Sequence, residues 1–312
     1  MNIAAITITY NDDYKLNEWY KHYLEYKDEL YLHIIIDNNS DNKYYDKLVH
    51  LFNDSKIIKR HSNGGCTMAY NDGINYALSR PEVDAIMLIG NDIKFSHGHP
   101  TKLYDFLYSN SRYGMVEPII LAKDSDIIED FGCEISSKLF LKPAYIGKEK
   151  SILIDSFRVV DAVTGGMNLS KRKFYEEVGL QDTKLFMYSD EVDMGIRAEK
   201  KGFKMAVTKD AIAWHQHINP TVSSMRLPYT SYLMGRNKVY LANKHFGTYR
   251  MISQMGYHFF LFMKGFVKNI FNKDGMSHQL SFIRGSWNGF IGNMSLVGII
   301  EDFMENENSK GL

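Results

Sequence analysis

The sequence contains few of the residues that constrain small folds, since only two of its 312 residues are cysteine and six are proline. Cys66 and Cys133 lie far apart and form no Cys-x-x-Cys pair, which argues against a disulfide framework and a structural zinc site. No run of about 18 apolar residues occurs, so no transmembrane helix is expected. The N-terminal segment lacks the basic region of a signal peptide. These absences indicate a protein of a reducing cytoplasm that folds around an ordinary hydrophobic core.

The chain also lacks a net charge, because 37 Lys and Arg balance 37 Asp and Glu. Without a net positive field, a nucleic-acid partner is disfavoured. The charges are nevertheless unevenly distributed. Residues 211–273 contain eight Lys or Arg and no Asp or Glu. The overall balance is therefore a cancellation between a basic segment and a more acidic remainder.

The first third of the chain alternates strand-like and helix-like segments. Strands are predicted at Ile3–Thr9, Tyr31–Ile36, Lys56–Arg60 and Ala85–Ile89, and helices at Tyr14–Glu29, Tyr44–Phe52 and Thr67–Ser79. This alternation indicates an α/β fold with a mixed, mostly parallel sheet flanked by helices. The loops after the first, second and fourth strands should converge on one crevice, because ligands bind beyond the carboxyl ends of parallel strands.

The rest of the chain is less regular. Strands are expected at Gly114–Leu121, Ser151–Val163, Ala206–Thr208 and Ala211–Trp214, with helices at Lys171–Val178 and from Ser189 onward. From about Thr230 the chain becomes helical and aromatic. We therefore predict an α/β domain over residues 1–229, with a division near residue 95, and a C-terminal helical region over 230–312.

Polar residues at the predicted strand ends are candidates for a ligand site. Asp37 could accept hydrogen bonds from a base or ribose, or could simply end its strand. Asn63-Gly64-Gly65 allows close approach of the backbone to a ligand, or forms a tight turn. Asp92 could bind a hard cation or a sugar hydroxyl, or form an Asx turn. Neither the Gly-x-Gly-x-x-Gly nor the P-loop pattern is present, so a dinucleotide site of those types is not supported.

Two later features carry titratable groups. Asp190, Glu191 and Asp193 fall on one helical turn, where one carboxylate could serve as a general base or all three could favour the positive end of the helix dipole, with Ser189 as N-cap. Asp193 can pair with Arg197. His215 could ligate a divalent metal or be a structural histidine.

The aromatic segment Tyr257–Phe271 contains Lys264 and Lys268. Apolar residues recur at helical spacing at Ile252, Met255, Phe259, Met263, Phe266 and Ile270. The pattern is typical of an interfacial helix attracted to anionic lipid, and equally of a buried or dimer-forming helix. We expect residues 230–273 to give either peripheral membrane contact, at the inner face of the plasma membrane, or a homodimer.

The order of these motifs is more specific than any one of them. Over about Ile3–Phe246 the chain resembles a family 2 inverting glycosyltransferase with the GT-A fold, of the bacterial rhamnosyltransferase-like type. The segments that carry the resemblance are Thr9-Tyr10-Asn11, Asp37-Asn38-Asn39-Ser40-Asp41, Asn63-Gly64-Gly65, Asn91-Asp92, Gly165-Gly166, Phe186–Asp193, His215 and Arg236-Asn237.

The resemblance implies transfer of a sugar from a UDP- or dTDP-linked donor to a hydroxyl of a glycan or lipid-linked acceptor in surface polysaccharide synthesis. It assigns residues 1–95 to the donor half and 96–229 to the acceptor half. The implied donor-binding residues are Thr9, Tyr10, Asn11, Asp37, Asn39, Asn63, Gly64, Asn91 and Asp92. The implied acceptor residues are Gly165, Gly166 and Asp193. Asp92 and His215 would hold Mg²⁺ or Mn²⁺.

Two positions depart from the family pattern. Gly90 stands where the first acid of the metal-binding D-x-D motif is expected, which leaves metal binding to Asp92 and His215. The usual Glu-Asp pair is inverted, so Glu191 takes the position of the catalytic base, with Asp190 as the alternative. A nucleotidyltransferase and a non-catalytic glycosyltransferase-like docking subunit remain as alternative functions.

Overall fold

A computed structural model describes residues 1–164, 166–216 and 228–296. The chain divides into two compact units. The first comprises Met1–Ser136, Phe140–Phe186 and Glu191–Ile218, and the second comprises Ser137–Leu139, Met187–Asp190 and Asn219–Leu312, each as far as the structure describes them. The predicted boundary at residue 229 falls in the first turn of a helix of the second unit.

Strands of the first unit form a mixed main sheet and a separate two-stranded sheet. They are β1 (Ile3–Thr9), β2 (Leu32–Asp37), β3 (Lys56–Lys59), β4 (Ala85–Ile89), β5 (Ile93–Phe95), β6 (Tyr113–Ala122), β7 (Ile128–Asp130), β8 (Cys133–Ile135), β9 (Leu141–Pro143), β10 (Phe157–Val160), β11 (Met167–Lys171) and β12 (Lys204–His215). In the described residues the main sheet has the order β10-β12-β6-β11-β4-β1-β2-β3, and β8 pairs with β9 separately. The expected α/β fold with a mixed sheet is confirmed.

The parallel pairs among β1, β2, β3 and β4 lie where the sequence predicted βαβ units. Strands β1, β2, β3 and β4 pair in parallel, as do β6 and β12, whereas β11 is antiparallel to both β4 and β6. The β-branched residues of β1 and β2 are buried on both faces, as expected for strands covered by helices on each side.

Helices cover both faces of this sheet. They are α1 (Leu16–Tyr26), α2 (Asn42–Leu51), α3 (Gly65–Leu78), α4 (His99–Ser109), α5 (Arg172–Val178) and α6 (Asp190–Lys200). One core cluster contains Leu16, Leu48 and Leu103, from α1, α2 and α4. The other contains Ile74 and Phe174, from α3 and α5. The alternating strand residues therefore build two cores, one on each side of the sheet.

Three sequence expectations need correction. Ser151–Val163 is not one strand, because only Phe157–Val160 joins the sheet, antiparallel to β12. The segments Ala206–Thr208 and Ala211–Trp214 form one strand, β12, whose register shifts between Thr208 and Ile212. The central strand β11 and the helix α4 were not predicted at all. Only two apolar residues, Met167 and Leu169, alternate with the buried polar residues Asn168 and Ser170 in β11, and this pattern is too short to predict a strand.

The second unit is helical, as predicted for the C-terminal region. It contains α7 (Pro228–Phe246), α8 (Thr248–Asn269) and α9 (Lys273–Phe290). α7 and α9 approach closely because Gly285 and Gly289 lie against the backbone carbonyls of Tyr232 and Arg236, where a Cβ would clash. None of the described helices is long and apolar enough to cross a membrane.

Candidate functional site

The loops that follow β1 and β2 contact each other directly. The backbone N–H of Asn38 donates to the Thr9 carbonyl at 2.9 Å, and the N–H of Asn11 donates to Ser40 Oγ at 2.9 Å. Asn11 returns a contact by accepting the Asp41 N–H on its side-chain oxygen at 3.0 Å. These bonds confirm that the two strand ends meet in one region of the first unit.

The predicted base-binding loop is tied to the glycine turn through Asn38. Its side-chain nitrogen donates to Asn63 Oδ1 at 2.7 Å, and its oxygen accepts the Gly64 N–H at 3.1 Å. Asp37 is fully buried and accepts the Ser40 N–H on its carboxylate. Asn39 is exposed with a left-handed φ of 74°. The hydrogen bonds of Asn38 fix the position of Asp37 and Asn39 relative to Asn63 and Gly64, and the sequence alone did not predict them.

Thr9 and Tyr10 line the start of the β1 loop. The Thr9 hydroxyl is hydrogen bonded to the Tyr44 hydroxyl and to Asp12 Oδ2, the latter at 3.3 Å. The Tyr10 N–H also faces Asp12 Oδ2 at 3.3 Å. Asp12 is thus the acceptor around which this turn closes. Burial raises the pKa of Tyr44, the hydrogen bond to Thr9 opposes that rise, and the charge of Asp12 adds to it.

A lysine that the sequence reasoning did not single out lies among the polar residues of the β1 and β4 loops. Lys15 Nζ is 3.0 Å from Asn91 Oδ1 and 3.5 Å from both Asp92 Oδ2 and Asp12 Oδ1. Asn91 in turn donates to Asp12 Oδ2 at 2.7 Å. Burial acts to lower the pKa of Lys15, but the charges of Asp92 and Asp12 raise it overall. Lys15 is therefore a partly buried, permanent cation beside Asp92.

The other side of Asp92 faces His215. Antiparallel pairing of β5 with β12 sets His215 opposite Ile93, and this register brings its Nε2 to 3.5 Å from Asp92 Oδ1. His215 Nδ1 lies 2.9 Å from Glu129 Oε1. Burial would lower the pKa of His215, but the hydrogen bonds to Asp92 and Glu129 outweigh that effect and raise the pKa to about 9.

These residues fit a divalent cation by their donor chemistry. A carboxylate oxygen and an imidazole nitrogen face each other, and Glu129 binds the second ring nitrogen, as carboxylates orient metal-binding histidines. Within residues 1–164, 166–216 and 228–296, no group of three or more His, Cys, Asp or Glu could hold a metal ion. A cation here would have to complete its coordination with substrate oxygens, as Mg²⁺ does at phosphate sites.

Gly90, which precedes Asp92 by two residues, contacts Gly166 of the predicted Gly165-Gly166 segment. The N–H of Gly90 donates to the Gly166 carbonyl at 2.9 Å. A Cβ at position 90 would lie 2.9 Å from Asp92 Oδ1 and 3.3 Å from the Gly166 carbonyl. Gly90 occupies the position of the first acid of the D-x-D pattern, and any side chain there would require the Asp92 carboxylate to shift. Gly165 lies outside the described residues.

α6 presents the predicted acidic cluster in two environments. Asp190 and Glu191 are half-buried at the helix start, whereas Asp193 is fully buried. Asp193 Oδ2 accepts from Arg197 Nε at 2.9 Å, which confirms the predicted i,i+4 pair. The preceding Ser189 has a left-handed φ of 66°, unlike the extended backbone usual at an N-cap. The role of Asp193 in binding the sugar acceptor stays a prediction.

A buried carboxyl cluster, also missed in the sequence, is electrostatically linked to Glu191. Thr164 Oγ1 is within hydrogen-bond distance of both Glu117 Oε1, at 2.9 Å, and Asp130 Oδ2, at 2.5 Å. Burial raises the pKa of Glu117 well above its usual value, and the charges of Asp130 and Glu191 raise it further. The cluster holds the residue that precedes the Gly165-Gly166 segment.

Comparison with solved structures defines the fold class. The crystal structure of GalNAc-T7 with UDP, GalNAc and Mn²⁺ matches with a TM-score of 0.55 at 13% identity, over 69% of this chain. The chain spans only 44% of that protein. The mannosyltransferase PcManGT from Pyrobaculum calidifontis, in complex with GDP-Man and Mn²⁺, matches with a TM-score of 0.53 at 11% identity, covering 92% of this chain and 86% of that one. S. aureus TarS 1-349 matches with a TM-score of 0.53 at 11% identity, over 94% and 80% of the two chains. The chain has the GT-A fold.

Sequence relatives point in the same direction. Residues 137–227 match the family described as glycosyltransferase like family 2. A curated relative, the low-salt glycan biosynthesis hexosyltransferase Agl10 of Haloferax volcanii, is 22% identical over 218 residues, which is 68% of this chain and 67% of that protein. Together the matches support a glycosyltransferase-like domain of the family 2 type.

Proposed function

We propose that the protein transfers a hexosyl or rhamnosyl residue from a UDP- or dTDP-linked donor to a hydroxyl of a glycan or lipid-linked glycan, with inversion at the anomeric carbon. The observation that carries this proposal is the cluster at the carboxyl ends of β1 and β4, where Lys15, Asn91, Asp92 and His215 converge. A ligand that brings negative charge beside the ammonium of Lys15 suits this arrangement, and the leaving nucleoside diphosphate does so.

The donor would bind along the loops that follow β1, β2 and β4. Thr9, Tyr10, Asn11, Asp37, Asn39, Asn63 and Gly64 are proposed to surround the nucleoside, and Asn91 and Asp92 the diphosphate. The hydrogen bonds of Asn38 hold these loops together. The ammonium of Lys15 would lie close to the diphosphate and offset the charge that develops on it.

A divalent cation, Mg²⁺ or Mn²⁺, would be held by Asp92 and His215, and would supply further neutralisation of the leaving group. Glu129 supports this assignment because it fixes the orientation of the His215 ring. The Mn²⁺ in two of the related structures agrees with such a site.

The acceptor hydroxyl needs a base, because an alcohol is a weak nucleophile at neutral pH. We assign this role to Glu191, with Asp190 as the alternative. Glu191 occupies the first turn of α6 and is half-buried. Gly165 and Gly166 would leave room for the acceptor, and the Glu117–Thr164 bonds would hold the segment before them.

The assignment is tested by replacing Glu191 with Gln. Turnover should fall by about two to four decades while binding of the nucleotide sugar persists. Glu199→Gln, an exposed position on the same helix, is the matched control and should retain turnover. If Glu191→Gln keeps near-full turnover and Asp190→Asn does not, then Asp190 is the base.

A further inference from the structure

One helix of the second unit presents its apolar side chains to solvent. α8 buries only two residues among its 22, Gln254 and His258, and both are polar. The large apolar side chains are exposed instead. The exposed fractions are 55% for Phe259, 62% for Phe260, 44% for Met263 and 69% for Val267 in α8, and 56% for Ile270 and 100% for Phe271, which directly follow its last residue, Asn269. We call these six residues the apolar stripe.

The spacing of the stripe places it along one side of the helix. Within α8, Phe260, Met263 and Val267 recur at intervals of three and four residues, which is the repeat of a single helical face, and Phe259 adjoins Phe260. Most surface helices direct such a face into the protein core. Here the apolar face is unpartnered in the described residues, and contiguous exposed apolar surface of this kind marks an interaction site.

The opposite, polar face is fixed by hydrogen bonds inside the second unit. Gln254 Nε2 donates to the Lys138 carbonyl at 3.0 Å and faces His258 Nε2 at 2.9 Å. His258 Nδ1 lies 2.8 Å from Ser286 Oγ, which itself donates to the Phe282 carbonyl. Because these hydrogen bonds hold the polar face of α8 in place, rotating the helix to bury the stripe would break them and leave further buried polar groups unpaired.

The charge pattern of the helix distinguishes between partners. Lys264 and Lys268 are exposed and each directly follows a stripe residue in the sequence, Met263 and Val267, and α8 contains no Asp or Glu. In a symmetric pair formed through the stripe, each copy would bring the same two lysines to the contact, and neither α8 would supply a carboxylate. An anionic surface satisfies both lysines, and their long aliphatic stems can lie against the aromatic side chains.

We propose that the apolar stripe, with Lys264 and Lys268, docks the protein on the surface of an anionic lipid bilayer. The helix would lie in the plane of the interface, with the phenylalanines in the boundary between headgroups and acyl chains and the lysine ammonium groups at lipid phosphates. This inference rests on exposure and charge in the second unit and does not depend on the proposed sugar transfer.

The test is cosedimentation of the full chain with phosphatidylcholine vesicles, with and without phosphatidylglycerol. Wild-type protein should bind the anionic vesicles and bind neutral ones much more weakly. Lys264→Glu with Lys268→Glu should lower partitioning about tenfold or more, and Phe260→Ser with Phe271→Ser should abolish it. Ile154→Ser, at a side chain that is 94% exposed in the first unit, is the apolar control. Lys43→Glu with Lys142→Glu is the charge control.

Both controls should bind like the wild type. The proposal fails if wild-type protein binds neither kind of vesicle, or if both stripe variants bind as well as the controls. Sedimentation equilibrium on the same proteins identifies the competing partner. A dimer that is lost in Phe260→Ser with Phe271→Ser, without vesicle binding, would make the stripe a contact between two copies and overturn the proposal.

Discussion

Asp92 Oδ1 and His215 Nε2 face each other at 3.5 Å, although the two residues are 123 positions apart in the chain. The antiparallel register of β5 and β12 produces this pairing, since it places His215 opposite Ile93. The two side chains present one oxygen and one nitrogen to the same point. This relationship makes the metal assignment testable without any knowledge of the acceptor.

Replacing either residue should remove stabilisation by manganese. If Mn²⁺ binds wild-type protein there, saturation at one hundred times its Kd raises the free energy of unfolding by about 2.7 kcal/mol. Asp92→Asn and His215→Asn should lose most of that gain in a thermal-shift titration. Asp28→Asn, at an exposed carboxylate, should behave like the wild type. Equal stabilisation of all four proteins would place the metal elsewhere.

Lys15→Met should weaken binding of free nucleoside diphosphate. A charge-assisted hydrogen bond contributes about 1.5–3 kcal/mol, so the Kd for UDP or dTDP should rise roughly tenfold to a hundredfold. Calorimetric titration without metal isolates this contribution. The control is Lys21→Met on the exposed side of α1, which should leave the affinity unchanged. Unaltered nucleotide affinity in Lys15→Met would remove Lys15 from the donor site.

Buried histidines should destabilise the protein in acid. Burial lowers the pKa of His33 to about 3, and burial with the charges of Lys238 and Lys138 lowers that of His258 to about 3. The unfolded chain takes up these protons below about pH 6.5, whereas the folded protein does not until about pH 3. The stability that these two histidines contribute is therefore fully present above pH 6.5 and is lost as the pH falls toward 3.

Between pH 6.5 and 5 each such histidine should remove about 2 kcal/mol from the free energy of unfolding. Urea denaturation at pH 7 and pH 5 measures the loss. His258→Gln should lose less stability between those pH values than wild type, whereas His50→Asn, at an exposed histidine, should lose as much. A loss in His258→Gln equal to that of wild type would contradict the assignment.

Two glycines in the helical unit should respond oppositely to alanine. A Cβ at Gly285 would clash with the Tyr232 backbone, whereas a Cβ at Gly256 meets nothing within 4 Å. Gly285→Ala should therefore cost about 1–3 kcal/mol by overpacking. Gly256→Ala, in the exposed interior of α8, should gain about 0.5–1 kcal/mol from helix propensity. Chemical denaturation of both variants provides the comparison, and a neutral Gly285→Ala would show that α7 and α9 can separate.

The strands that sequence reasoning located correctly share one physical property. β1, β2 and β4 are continuous β-branched or apolar runs, because helices bury them on both faces. β11 is equally buried but carries Asn168 and Ser170, and it is held by backbone pairing to two neighbouring strands. Its apolar residues, Met167 and Leu169, give an alternation too short to predict a strand, so its position follows from contacts that only the folded chain provides.

The candidate site shows the same division. Asp92, His215 and Glu191 could be named because their motifs occur in a characteristic order along the chain. Lys15 and Glu129 could not, since each resembles an ordinary surface residue within its own segment. Lys15 acquires a role only when the β1 and β4 loops meet, and Glu129 only when β7 and the end of β12 lie near each other. Neither contact can be predicted from the local sequence.

The hydrogen bonds of the Asn237 side-chain amide limit where the chain can be cut and joined to a relative. Its nitrogen donates to the carbonyls of Met187 and Tyr188, at 2.9 and 2.8 Å, and so a helix near the end of the chain holds the segment just before Asp190. A chimera that joined this sheet to the helices of a relative would need both the loop and its amide partner from one parent. Asp190 and Glu191 are consecutive in the chain, but Asp190 belongs to the second unit and Glu191 to the first, so the segments that must come from one parent alternate along the sequence there.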